Sequence, residues 1–433
     1  MGFQQGLSGL KAASTSLDVI GNNVANASTV GFKQGQAQFS DIYSMTMHTA
    51  ASNQVGIGVS VMRVQQQFTQ GNVTPSANSL DLAINGNGFF RFQDELGSVL
   101  YSRNGQLELT KEGYLVNGAN HKLTGFPVDP NTGLVASGAA TVIQLSTEYI
   151  EPKITSQVTS LLNFDSREDV IDQTTHPFDV NDPLSYNDAT AIDVYDSLGN
   201  MHVLQTFYVR TTDTMPSTWA VYAYADGLYI GDTAGVADPN PGVVNPIGYL
   251  RFNDYGQPQD AYASDGSTLL PGFQLSVEIP AMAGAADFDF TIDYTGTTQY
   301  GSNFAVNDNQ QDGYASGRLT GFTVDPYGNV LGRYSNGEAK VLAQVCLVAF
   351  RNPNGLNPVG DNEWVETLES GAPIIGSPLT ASLGQINDYS IEESNVDLTE
   401  ELVDMIVAQR VYQANAQTIK TQDAILQTLV SMR

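Results

Sequence analysis

Apolar residues recur at helical spacing only at the two ends of this chain, and at strand spacing nearly everywhere between. Near the N-terminus Phe3, Leu10, Leu17 and Val24 fall seven residues apart, with Leu7, Ala13 and Ile20 beside them. Near the C-terminus Leu398, Met405, Tyr412, Ile419 and Leu426 repeat that spacing, with Leu402, Ala416 and Val430 as a less regular second row. Such a repeat is the stripe of a helix that packs on another helix. Asp397 and Thr399 to Glu401 supply a helix start, and no Gly or Pro interrupts the chain from there to Arg433. A helix of about 20 residues is marginal alone in water. The two ends are therefore expected to pair with each other, or with copies in neighbouring subunits, rather than each packing on its own domain. Asn22, Asn23 and Asn26 close the first stripe, and Gly31 and Phe32 follow. Asparagine tolerates left-handed backbone and competes for backbone hydrogen bonds, so this cluster is expected to break the helix and start a linker.

Between the ends the period changes to two. Asp287 to Tyr294 alternates strictly, placing Phe288, Phe290, Ile292 and Tyr294 on one face. Residues 190–210 read as two strands about a turn at Ser197–Asn200, and 217–227 as another. Residues 80–129 contain short strand-like runs punctuated by Asn-Gly pairs, which suit tight hairpin turns. The expected fold is mainly β with terminal α-helices: nested, discontinuous β domains of sandwich or barrel type plus a helical layer. "LTGFPVDP" at 123–130 returns as "LTGFTVDP" at 319–326, changed at one position. The repeat suggests two halves of one domain with a second domain inserted. The expected division is 1–25 with 395–433 (helical), 26–75 with 389–394 (linker), 76–150 with 314–388 (first β domain) and 151–313 (inserted domain).

Composition narrows the function. The formal net charge of −28 repels nucleic acid and anionic membranes. Residues 151–312 carry roughly two thirds of that charge, as expected of a module facing water. The N-terminus lacks the basic and continuous apolar regions of a secretory signal, and no apolar run is long enough to span a membrane. Those signals alone imply a cytoplasmic protein. Cys346 has no partner for a disulfide and sits in an apolar run, as a buried small hydrophobe would. His48, His121, His176 and His202 lack metal-ligand spacing, and neither a nucleophile elbow nor a phosphate loop is present. Asp308 to Gly313 imitates the opening of a calcium loop, but Gln310 and Leu319 stand where ligands belong, so a connecting turn is expected. No catalytic, cofactor or metal residue is nominated.

Two long segments carry a resemblance. "SGLKAASTSLDVIGNNVANASTVGFK" and "SNVDLTEELVDMIVAQRVYQANAQTIKTQDAILQTLVSMR" resemble the terminal signatures of the bacterial flagellar axial family of rod, hook and hook-associated proteins. "GYASGRLTGFTVDPYGNVLGRYSNG", "NPNGLNPVGDNEWVETLESG" and "VYDSLGNMHVL" are similar to the hook members of that family. The resemblance implies a non-enzymatic structural subunit, exported without a cleaved signal and assembled outside the cell into a curved hollow tube, a universal joint carrying motor torque to the filament. It also implies as partners other copies of the chain, the hook cap, the distal rod, the hook–filament junction proteins and the export apparatus. The helical stripes (Phe3, Leu7, Leu10, Leu17, Ile20, Val24, Leu398, Leu402, Met405, Tyr412, Ile419 and Leu426) become the expected polymerisation interface. Asn22, Asn23, Asn26, Gly31 and Phe32 become linker or turn residues. Asp41–Val59, with Met45 and Met47 beside Tyr43, is longer than in the shortest hook members. Another axial component is the alternative within the family. A secreted carbohydrate-binding or hydrolytic β protein would share the acidic middle but has no need of paired heptad ends.

Overall fold

The computed structural model describes residues 2–42, 56–129, 133–136, 138–212, 216–230, 244–281 and 284–431. The chain folds into two compact units. The first comprises 1–147, 320–333 and 339–433; the second comprises 148–319 and 334–338.

In the first unit, helix α1 (Gly2–Ala25) leads to a hairpin of β1 (Gly35–Ile42) and β2 (Gly58–Gln66). The chain ends in the 34-residue helix α2 (Leu398–Ser431). Asp397 caps α2 by accepting the Thr399 amide at 2.8 Å, and Glu400 and Glu401 place negative charge in its first turn. Most remaining strands join one 13-stranded sheet system. Its core contains Leu82, Ile84, Phe90, Phe92, Leu123, Val345 and Leu347, all essentially inaccessible. A satellite cluster sets Phe89, Tyr101 and Phe350 against Trp364, whose indole donates to Gln66 at 2.6 Å. The repeated octapeptides become the strands Lys122–Pro127 and Leu319–Val324 of this sheet, separated by two others.

The second unit is a sandwich of a seven-stranded antiparallel sheet and a five-stranded mixed sheet. Both contribute to one core: Val158, Leu162 and Phe164 from the smaller sheet, and Val194, Leu204 and Trp219 from the larger. Phe164 stacks on Trp219 with centroids 4.6 Å apart and meets Tyr208 and Phe252 edge-on. The alternation at 288–294 buries Phe288, Phe290, Ile292 and Tyr294 here. The strands about Ser197–Asn200 pair in register from Tyr195↔Met201 to Asp188↔Tyr208.

Two local expectations need correction. Asn85-Gly86 and Asn87-Gly88 do not close a hairpin, because Ala83–Asn85 pairs with Gln385–Asn387 and Phe89–Gln93 pairs elsewhere in the large sheet. Asp308–Gln311 is no connecting turn: it belongs to strand Ala305–Gln311, which pairs with Gln157–Asp165, and Asp312 accepts the Ser156 amide at 2.8 Å. Gln157–Asp165 runs parallel to two neighbours, a pairing that alternation does not reveal.

Candidate functional site

The helices are antiparallel, and small residues let them approach closely. A Cβ at Gly9 would lie 2.8 Å from Asn415 Oδ1, and one at Gly6 would lie 3.0 Å from Ile419 Cγ1. Residue 23 meets residue 401 near one end of the pair, while residue 6 meets 419 near the other. Gly6, Ala12, Ala13, Ile20 and Asn23 of α1 and Glu401 and Ala408 of α2 are buried.

The expected stripe residues divide by burial. Ile20 is buried, and Leu10, Leu17, Val24, Met405 and Ile419 are half-buried. Phe3, Leu7, Leu398, Leu402, Tyr412 and Leu426 remain exposed, as do Val403, Ile406, Val407, Val411, Ile425 and Val430. Pairing within one chain thus leaves α2 apolar on its outer sides. A helix apolar on several sides is ordinarily enclosed by other helices. Tyr43, Met45, Met47 and His48 lie outside the described residues.

Where the helices meet the β structure, a polar junction fixes them. Asn23, only 2% exposed, donates to Gly35 O and to Glu401 Oε1, both at 2.8 Å, and accepts the Gly35 amide at 2.9 Å. Gln34 also donates to Glu401 Oε1, at 2.7 Å, and its amide donates to Asn395 Oδ1 at 2.7 Å. One asparagine therefore ties the end of α1, the start of β1 and the first turn of α2. Asn22 and Asn26 face outward and bond each other, with Asn26 Nδ2 donating to Asn22 Oδ1 at 2.9 Å. None of the three asparagines has a positive φ. The left-handed residue is Gly31 (φ 74°), where a Cβ would lie 2.7 Å from the Asn104 amide, and the Gly31 amide donates to Glu392 O at 2.8 Å. Phe32 is half-buried beside it.

Beneath this lies a buried ionic cluster that sequence reasoning did not single out. Lys33 Nζ donates to Glu392 Oε1 at 2.6 Å and to Thr69 O at 2.8 Å, with both charged side chains inaccessible. Arg103 reaches Glu392 Oε2 at 3.1 Å and Gly86 O at 2.9 Å. The Gly71 amide adds a third donor to the carboxylate at 3.0 Å. Burial pulls Lys33 and Arg103 below their ordinary ranges, while the Glu392 charge opposes that shift in both. A carboxylate held by two cations and an amide satisfies the condition under which buried charge is tolerated. Its partners lie 359 and 289 residues away in sequence, so nothing local announces it.

The other candidate groups are structural. Cys346 is buried, with its thiol pushed up by burial and donating to Thr124 O at 3.3 Å. His121 pairs with Glu363 at 2.9 Å, and His202 bridges Asp226 and Asp196. Among the described residues no cluster of His, Cys, Asp or Glu is arranged to hold a metal, and no helix is long and apolar enough to cross a membrane.

Comparison with known proteins accounts for a chain with a β body and unsatisfied terminal helices. Residues 3–33 match the "Flagella basal body rod protein" family, and 388–432 match the "Flagellar basal body rod FlgEFG protein C-terminal" family. Residues 83–158 match the "Flagellar hook protein FlgE/F/G D1 domain", and 163–314 match the "Flagellar basal body protein FlaE D2 domain". The flagellar hook proteins FlgE of Salmonella typhimurium and Escherichia coli K12 are each 39% identical across all of both chains. That of Borreliella burgdorferi is 32% identical over 99% of this chain and 98% of its own. The crystal structure of Helicobacter pylori hook protein FlgE2 shares the fold at a TM-score of 0.52, over 74% of this chain and 100% of its own, at 14% identity. Identity of this extent, end to end, makes the chain a member of the flagellar hook protein family.

Proposed function

We propose that this chain is the repeating subunit of a bacterial flagellar hook, polymerising through its terminal helices into a curved hollow tube that transmits motor torque to the filament. The observation that carries the reading is the apolar surface left on α2 after α1 has packed, including Leu402, Ile406, Val407 and Val411, each close to half exposed. In a single copy this surface meets water; in an open heterologous assembly it becomes core. The stripe residues are then the polymer interface, with α1 and α2 as the layer around the channel. The junction of Asn23, Gln34, Lys33, Glu392 and Glu401 fixes how the helices leave the β structure.

The role is structural, without catalysis or cofactor. Its partners are other copies of the chain, with the cap, the distal rod and the hook–filament junction proteins at the tube's ends. The export apparatus carries the subunit outside the cell without cleavage of a signal. The test is sedimentation and negative-stain imaging of the full chain under polymerising salt, beside Val407→Ser/Val411→Ser. Tubes from the parent chain and monomers from the variant support the reading. A parent chain that stays monomeric at all concentrations overturns it.

A further inference from the structure

His202 stands at the rim of the sandwich core in the second unit. On strand Met201–Thr212 it lies opposite the inaccessible Val194, and from the smaller sheet Phe288 faces its ring with centroids 6.4 Å apart. The imidazole is only 5% exposed, yet both of its nitrogens meet carboxylates. Nδ1 lies 2.7 Å from Asp226 Oδ2, and Nε2 lies 3.3 Å from Asp196 Oδ2. Those two acids are the charged groups that face it. Burial pushes both acids up, but hydrogen bonds, from Asn200 to Asp196 and from His202 to Asp226, bring them below their ordinary values. An ionised carboxylate only accepts, so each ring nitrogen must carry a proton and the ring is a cation. Burial opposes that charge as well, and the two acids outweigh it, holding His202 above its ordinary value.

Each carboxylate also organises a turn. Asp196 Oδ1 accepts the amides of Leu198 and Asn200, both at 2.8 Å, and Asp226 Oδ1 accepts the Val203 amide at 2.9 Å. The first turn rests on the two segments by which the chain enters and leaves this unit. Those segments pair at Ile150↔Gly317 and Lys153↔Tyr314. A Cβ at Gly199 would lie 2.7 Å from Pro152 Cβ and 3.4 Å from Ala315 Cα, and the Tyr195 amide donates to Thr155 Oγ1 at 2.8 Å. We infer that His202 is a pH-dependent latch, which ties the Asp196–Asn200 turn to the Asp226 turn while charged and releases the first when neutral. A neutral imidazole keeps one N–H. The shorter bond, to Asp226, retains it, and Nε2 then turns a lone pair on the Asp196 carboxylate. Acid surroundings tighten the root of the second unit and alkaline ones loosen it. The latch goes beyond the polymer reading and does not depend on it.

Titration of the full chain tests it. Histidine ring signals are followed by NMR, with the His202 signal assigned by its loss in His202→Gln, and the Trp219 urea transition is measured from about pH 6.5 to about pH 9. A folded midpoint above the ordinary 6.5 means that the stabilisation is complete below 6.5 and is lost as pH rises through the folded value. The unfolding constant of the second unit should therefore rise roughly tenfold for each pH unit by which that midpoint exceeds the ordinary one. In His202→Gln this part of the pH dependence should vanish. Amide hydrogen exchange at Leu198 and Asn200, corrected for its intrinsic pH dependence, should quicken relative to Val203, whose carboxylate keeps its proton donor. A midpoint at or below 6.5, a pH dependence that survives in His202→Gln, or equal change at all three amides overturns the latch. Should His202→Gln fail to fold, Asp226→Asn, at a side chain 41% exposed, serves in its place: the His202 midpoint should fall, and an unmoved midpoint overturns the latch equally.

Discussion

The second unit and the terminal helices solve the burial of apolar surface in opposite ways. The sandwich closes its core within one copy: Phe164 packs against Trp219, Tyr208 and Phe252 in the same unit. Helix α2 carries about as apolar a sequence along much of its length, yet leaves most of it in water. The difference is one of address. A sheet pair has two facing surfaces from one chain, whereas one helix can cover only about a third of another, and the rest must come from elsewhere. Stability is thus concentrated in the β structure, and association is concentrated in the helices.

The largest effect should come from opening the sandwich core. Phe164→Ala removes a ring between two sheets and should cost roughly 3–5 kcal/mol, read as an earlier urea transition in the emission of Trp219. Emission from Trp364 reports the first unit and should not follow it. An unchanged Trp219 transition would break the claim that this unit holds its stability internally. Next is Glu392→Gln, which leaves Lys33 and Arg103 buried without a carboxylate and should cost the first unit about 3 kcal/mol. A loss below about 1 kcal/mol would mean that the ionic cluster fixes geometry alone.

A smaller effect depends on pH. Burial, and then the nearby carboxylates of Glu168 and Asp165, push Asp188 up to about 6. Between about pH 4 and pH 6 the folded chain therefore binds a proton that the unfolded chain has released, so stability falls as pH rises through that window. Asp188→Asn should be neutral near pH 4 and stabilising above pH 6 by on the order of 1 kcal/mol. Equal stabilisation at both pH values would show that charge is not the cause. The smallest change sharpens the contrast most. Val407→Ser, at a position 52% exposed, should alter the monomer's stability by less than about 0.5 kcal/mol while weakening sedimentation. A large loss in the isolated chain would mean that α2 is already part of a closed core.

Much of this was legible in the chain. The seven-residue rows mark both helices, and Asp397 marks where α2 starts. Strict alternation at 288–294 gave the inward face of a sandwich strand. The asparagine cluster marked a hydrogen-bonded junction, but which partners Asn23 takes, and that Gly31 is the left-handed residue, was not legible. The Asn-Gly pairs at 85–88 misled because a turn-prone dipeptide constrains the backbone locally without naming the strand that pairs next to it.

By itself the sequence determined periodicity, helix starts, the acidic charge of the middle and the class of fold, because each is set by residues within a turn or two of one another. Only the tertiary structure decided which residues of the stripes a single copy buries, that Glu392 gathers Lys33 and Arg103, and that Asn23 locks α1 to α2 through Glu401. These contacts join positions hundreds of residues apart. Their energy comes from removing charge and apolar surface from water together, and no local pattern encodes which distant partner will be there when that happens.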